Sequence, residues 1–196
     1  RNPAIIVADG VIGQMMEKVV LPEQRPRLTN EEVMARCPWA TFGKLKHRGP
    51  NIVTSLELDP AEMEKRNIHL QQKYAEIEEK EVRYEEIHCD DAEYLIVAFG
   101  SCARIAQKAM EEARAEGIKV GLLRPITLWP FPSKAIAERS RQVKGILTVE
   151  LNAGQMVEDV RLAVECKVPV EYFGRLGGIV PDPDEVVTAL KEKIIK

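Results

Sequence analysis

Residues 94–132 read YLIVAFGSCARIAQKAMEEARAEGIKVGLLRPITLWPFP, and this stretch decides the fold. Tyr94 to Phe99 is a nearly continuous apolar run, the pattern of a parallel strand covered on both faces. Gly100 interrupts it, and Ser101 has the hydroxyl needed to cap a helix. From Cys102 to Glu116, the positions Ile105, Ala106, Ala109, Met110 and Ala113 recur at steps of three and four, which makes one helical face. Gly117 ends that helix by accepting a left-handed conformation. Ile118 to Leu123 is the next strand, and Arg124-Pro125 stops it. A parallel pair needs such a crossover.

The same alternation continues to the end of the chain. Strands are predicted at 94–99, 118–123, 145–151 and 168–173, and helices at 102–116, 132–141, 154–166 and 183–195. Asp182, Pro183, Asp184 and Glu185 give the last helix a clear start, with carboxylates where the helix dipole favours them. Val82 to Cys89 (VRYEEIHC) reads as an edge strand. The fold class is therefore α/β, three layers around a mostly parallel sheet.

Upstream, Ala4 to Ala8 (AIIVA) is a candidate buried strand. Val11, Ile12, Met15, Met16 and Val19 form a helical stripe after it, with the methionines read as packing rather than a cofactor box. Together they are expected to be a strand–helix remnant of a domain whose body lies upstream, since so small a piece does not fold alone. The chain opens at Arg1 without an initiating Met and reads as the C-terminal portion of a longer protein. Residues 21–58 carry four prolines and read as a connection. Within it, Lys44, Lys46, His47 and Arg48 make a basic cluster, read as a solvated face ahead of an anion contact. Asp59 to Lys80 reads as a long linker helix, with Asp59 as cap, Pro60 in first position and Glu62 in a capping-box pattern. Its narrow stripe is Met63, Leu70, Tyr74 and Ile77.

Composition limits the function. Among 196 residues, 45% are hydrophobic and only 5% aromatic, so the core is aliphatic. A formal net charge of −3 gives no electrostatic footprint for nucleic acid. No apolar run approaches the roughly 20 residues of a membrane helix. The four cysteines (Cys37, Cys89, Cys102, Cys166) have no C-x-x-C spacing for zinc or an iron–sulfur cluster, and are read as reduced thiols of a cytoplasmic protein.

Ligands of open α/β sheets bind beyond the carboxyl ends of the strands. Four loops qualify: GSCAR (100–104), RPITLWPFP (124–132), ELNAGQ (150–155) and GRLGGIVPDP (174–183). Gly100-Ser101 either caps a helix or holds an anion on free backbone N–H groups. Arg124 either binds a carboxylate or phosphate or pairs with Glu150. Trp129 and Phe131 are either a partner surface or core. Asn152 is a candidate helix cap near Glu150 and Gln155. Gly174, Gly177 and Gly178 suit a turn or a close neighbour such as another subunit. No Ser–His–Asp set, carboxylate pair or metal cluster emerges. The residues describe a docking and assembly domain.

Six segments in register then carry a resemblance: DGVIGQMME (9–17), NIVTSLELDP (51–60), LQQKYAEIEEKEVRYEE (70–86), LRPITLWPFP (123–132), ELNAGQMVEDVRLAV (150–164) and GGIVPDP (177–183). Together they resemble the alpha subunit of 2-oxoacid:ferredoxin oxidoreductases, closest to the 2-oxoisovalerate (branched-chain ketoacid) type. The resemblance implies oxidative decarboxylation of a 2-oxoacid to an acyl-coenzyme A, with electrons passed to ferredoxin. It implies thiamine diphosphate, Mg and iron–sulfur clusters in the holoenzyme and no cofactor in this chain. The partners would be the beta and other subunits, with ferredoxin and coenzyme A at the level of the complex. Residues 1–20 would be the tail of a pyrimidine-binding domain and 21–81 a linker. Residues 82–196 would be a transketolase C-terminal-like domain of five strands, the first antiparallel. No catalytic residue carries over. The loop candidates are Ser101, Arg124, Thr127, Asn152, Gln155, Gly177 and Gly178, assigned to loop architecture and subunit contacts. The alternative is a free-standing α/β module that binds an anionic small molecule through GSCAR and GRLGG. A further reading is a pure oligomerisation domain.

Overall fold

The computed structural model describes residues 2–40, 49, 52 and 54–195. The basic cluster with His47 lies outside them. The chain divides into two compact units, one of Arg1–Met15 with Gln72–Lys196 and one of Met16–Gln71.

The first unit is built on a five-stranded sheet. In chain order its strands are β1 (Tyr84–Ile87), β2 (Tyr94–Ala98), β3 (Val120–Pro125), β4 (Ile146–Glu150) and β5 (Val170–Gly174). Their spatial order is β1-β3-β2-β4-β5. β1 runs antiparallel to β3, with Glu85 opposite Arg124, and the other pairings are parallel. VRYEEIHC is thus the reversed edge strand that the resemblance implies.

Each crossover supplies a helix. They are α4 (Gly100–Ala115), α5 (Ser133–Ser140) and α6 (Met156–Val164), with α7 (Pro183–Leu190) after the last strand. A wider π-type turn, Lys191–Ile195, follows α7. Alternation along the strands sorts the core into two layers. Ile96, Ala98, Leu122, Leu147 and Val149 pack with α4 and α7. Leu95, Val97, Leu123 and Ile146 pack with α5 and α6. Burial of these aliphatic side chains is the main stabilising term, at roughly 1.5–3 kcal/mol for each fully covered one.

The N-terminal segment differs from expectation. Residues 4–8 pair with no strand among the described residues, and Ile5, Ile6 and Val7 are exposed. A run of apolar residues makes a buried strand only where a sheet edge and a cover exist. The helical stretch contracts to α1 (Gly10–Gln14), and Met15 and Met16 are exposed rather than packed.

In the second unit, α2 (Asn30–Arg36) interrupts the proline-rich connection. Its start is a reciprocal capping box between Thr29 and Glu32. α3 (Pro60–Lys80) matches the predicted long helix. Asp59 caps it through the Ala61 and Glu62 N–H groups, while the Glu62 side chain pairs with Lys65. Met63, Leu70, Tyr74 and Ile77 are half-buried, as is Lys73 beside them. No helix among the described residues is long and apolar enough to cross a membrane.

Candidate functional site

The strand order places the topological switch between β2 and β4. From β2 the chain goes to β3 on one side; from β4 it goes to β5 on the other. The crevice at such a switch is where doubly wound sheets take ligands. It is flanked here by the first turn of α4 and by the loop 151–155 that leads into α6.

Glu150 closes β4 and is completely buried. Its carboxylate accepts from the N–H groups of Gln155 (3.1 Å), Met156 (2.8 Å) and Val157 (2.9 Å). These are the free donors of the α6 start, and the helix dipole favours a negative charge there. The charge is therefore satisfied by backbone and has no need of a cation. The sequence alone offered Glu150 only as a possible partner of Arg124 and a neighbour of Asn152 and Gln155. Its signal was an acid ending an apolar strand six residues before a helix.

Asn152 shapes the loop rather than capping the helix. Its Oδ1 accepts from Gly154 N–H (2.7 Å) and Gln155 N–H (3.1 Å). The Tyr172 hydroxyl donates to the Asn152 carbonyl. Gly174 permits this crossing, since a Cβ there would sit 2.6 Å from Tyr172 Cζ and 2.8 Å from the Glu150 carbonyl oxygen. Gln155 precedes α6 with an exposed side chain that makes no cap.

Ser101 is not the cap of α4. Phe99 holds that position without a side-chain bond, and Ser101 is buried within the first turn. Its hydroxyl donates to the Asp9 carboxylate. The other Asp9 oxygen caps α1 at Ile12 N–H (2.8 Å). The Ser101 hydroxyl, and then the Ile12 N–H, hold the Asp9 carboxyl below its ordinary 3.8. Beside Ser101, burial pushes the Cys102 thiol up to about 11, and the charges of Glu150 and Asp9 add to the shift. The crevice thus carries two carboxylates of the chain itself. Each occupies a position where an incoming anion would otherwise find donors.

Arg124 pairs with its cross-strand partner Glu85 (3.1 Å), not with Glu150. Register explains this, because Glu85 faces it directly while Glu150 is consumed by α6. Thr127 ties its loop to β1. Its Oγ1 accepts from Arg83 N–H (2.9 Å) and donates to the Pro130 carbonyl (2.7 Å). The aromatic pair divides: Phe131 packs into the core, while Trp129 is 56% exposed and meets Tyr74 edge-on at 5.8 Å. Gly177 and Gly178 have φ of +66° and +84° in the exposed loop after β5.

The seven candidates therefore do not converge on one pocket. Ser101, Asn152 and Gln155 flank the switch, Arg124 and Thr127 lie one strand away, and Gly177 and Gly178 lie beyond β5. Around them the carboxyl-end loops expose Ile126, Leu128, Trp129, Leu176, Ile179 and Val180. Among the described residues no group of His, Cys, Asp and Glu is arranged to hold a metal ion.

Comparison with known proteins agrees with this architecture. Residues 92–186 match the pyruvate:ferredoxin oxidoreductase core domain II. The chain is 45% identical to the ketoisovalerate oxidoreductase subunit VorB of Methanothermobacter thermautotrophicus, over 98% of this chain and 53% of that protein. It is 30% identical to the 2-oxoglutarate synthase subunit KorA of Archaeoglobus fulgidus, over 92% and 51%. The chain spans about half the length of the curated relatives it matches. A solved 2-oxoglutarate:ferredoxin oxidoreductase from Magnetococcus marinus shares the fold at a TM-score of 0.62 and 24% identity, over 70% of this chain and 24% of that one. A split-gene transketolase does so at 0.51 and 22%, over 58% and 41%.

Proposed function

We propose, from the chain's membership of the 2-oxoacid:ferredoxin oxidoreductase family and its likeness to a ketoisovalerate oxidoreductase subunit, that it is the C-terminal part of an alpha subunit whose work is docking and assembly. The complex would decarboxylate a 2-oxoacid oxidatively, form an acyl-coenzyme A and pass electrons to ferredoxin. One observation carries the docking role. The polar groups at the sheet's carboxyl end are engaged within the chain, while the loops around them present apolar side chains outward. Exposed apolar clusters of this kind mark interaction surfaces.

The cofactors of such a complex find no fit among the residues described. A diphosphate approaching α6 would meet Glu150 in place of free N–H groups, and one approaching the start of α4 would meet the negative charge of Asp9 on Ser101. Among the described residues, no acids and cysteines are grouped to hold a metal ion. In this reading thiamine diphosphate, Mg and the iron–sulfur clusters belong to other parts of the enzyme, and no catalytic step is assigned to this chain. The same two carboxylates weigh against a free-standing anion-binding module.

The test is assembly of the full alpha subunit with its beta subunit. The Leu128→Asp and Trp129→Asp variants should keep their circular dichroism yet weaken assembly at least about tenfold, the order of one or two anchor side chains. Unchanged assembly and turnover in both variants would remove the docking reading. Calorimetry of the isolated chain with thiamine diphosphate and Mg should give no heat; one-to-one binding would overturn the cofactor assignment.

A further inference from the structure

β1 and β5 are the two edges of the sheet, and the chain treats them differently. Along β5 the outward carbonyls of Val170 and Tyr172 accept from Arg161 (3.2 Å) and Lys193 (2.6 Å). Cationic side chains laid over an edge in this way keep other strands off it. β1 has no such cover among the described residues. The Arg83 carbonyl faces β3, where it accepts from Ile126 N–H (3.0 Å) and Thr127 N–H (3.1 Å). Tyr84 lies opposite Pro125, which has no N–H to give. Because an antiparallel ladder alternates, the N–H and C=O groups of Tyr84 and Glu86 point away from β3. None of them has a partner on that side among the described residues. Arg83, Tyr84, Glu85 and Glu86 are all exposed.

The charges along this edge select its partner. Two antiparallel copies can pair their outward groups about Tyr84, Glu85 or Glu86. Centring on Glu85 or on Glu86 sets that carboxylate against its own copy, and like charges directly opposite are destabilising. Centring on Tyr84 sets Arg83 against the second copy's Glu85, twice, and tyrosine against tyrosine on the other face. Each Glu85 then lies between the second copy's Arg83 and its own Arg124, which it already meets at 3.1 Å. We propose that β1 pairs antiparallel with β1 of a second copy of this chain, about a two-fold axis at Tyr84, so that two five-stranded sheets become one. The contact is isologous and closes on itself, as two-fold contacts do.

Disulfide crosslinking in the full subunit, assembled with its partners, tests the pairing. Residues facing each other in a hydrogen-bonded antiparallel pair have Cα atoms about 5.5 Å apart, within the span of a disulfide. Tyr84→Cys should therefore give a crosslinked pair of these subunits on mild oxidation. Glu86→Cys should not, because the two copies of position 86 lie four residues apart along the strand. Arg83→Glu and Glu85→Arg, each placed in the Tyr84→Cys subunit, bring like charges together and should slow crosslinking at least about tenfold, with two reversed pairs in each interface. A mixture of these two variants restores opposite charges in the mixed pair and should recover the rate. All these positions are exposed, so the core is left intact. No crosslink with Tyr84→Cys would overturn the pairing, as would an equal crosslink with Glu86→Cys. So would a mixture that crosslinks no faster than either variant alone, since the charges would then act within one chain. Leu128→Asp and Trp129→Asp, which test docking to the beta subunit, leave the β1 edge unchanged, so the two readings fail separately.

Discussion

Glu150 Oε2 lies 2.8 Å from the backbone nitrogen of Met156, so the last residue of β4 caps the first residue of α6 from inside the core. Glu150→Gln keeps the shape but turns an acceptor of three N–H groups into a side chain with one acceptor and one donor. The loss is expected to be about 2–4 kcal/mol, the scale of charge-assisted bonds broken in a buried setting. Urea unfolding measures it. A change below about 0.5 kcal/mol would mean that the cap contributes nothing.

Thr127→Val tests the loop anchor. Valine keeps the volume and removes the oxygen that serves Arg83 and Pro130. We expect a cost of about 1–2 kcal/mol and faster amide exchange confined to β1 and residues 126–131. Faster exchange spread evenly over the sheet would contradict a local anchor.

The cysteines give a pH prediction. Burial raises both Cys89 and Cys102 from 9.0 to about 11. The folded state therefore holds their protons more tightly than the unfolded chain does. Their contribution is complete below pH 9.0 and fades as pH rises from 9.0 through about 11. Stability measured across that window should fall. At pH 8, a thiol reagent should modify the exposed Cys166 well before Cys89 or Cys102.

Tyr74→Ala should cost about 0.5–1.5 kcal/mol, as for other edge-on aromatic pairs, and should alter the fluorescence of Trp129. The Trp39→Phe background isolates that signal, since the chain has two tryptophans. An emission spectrum identical with and without Tyr74 would show that the rings do not meet.

The sheet was legible because burial leaves a period in the sequence. Strand-like runs of six or seven residues located all four parallel strands, with Gly100, Pro125 and Gly174 among their breaks, and VRYEEIHC located the antiparallel edge. Asp59-Pro60 located α3 for the same local reason. What stayed hidden depends on contacts between distant residues. Nothing in the composition of AIIVA says whether a neighbouring strand is present. Nothing near Ser101 says that its hydroxyl meets a carboxylate 92 positions away. Arg124 met Glu85 and not Glu150 because register, not charge, chose its partner. α2 was readable from Thr29 and Glu32, but the surrounding prolines outweighed that capping box.

Because the cap of α6 comes from a strand residue, the five positions from Leu151 to Gln155 are released from the task of starting a helix. Exchange of the exposed Leu151, Ala153 or Gln155 side chains would leave the helix origin untouched, so these three positions can change the loop's surface chemistry while Asn152 and Gly154 keep its shape. It is the natural place to graft new specificity, and the place where sequences of this kind can diverge in what they meet while keeping one scaffold.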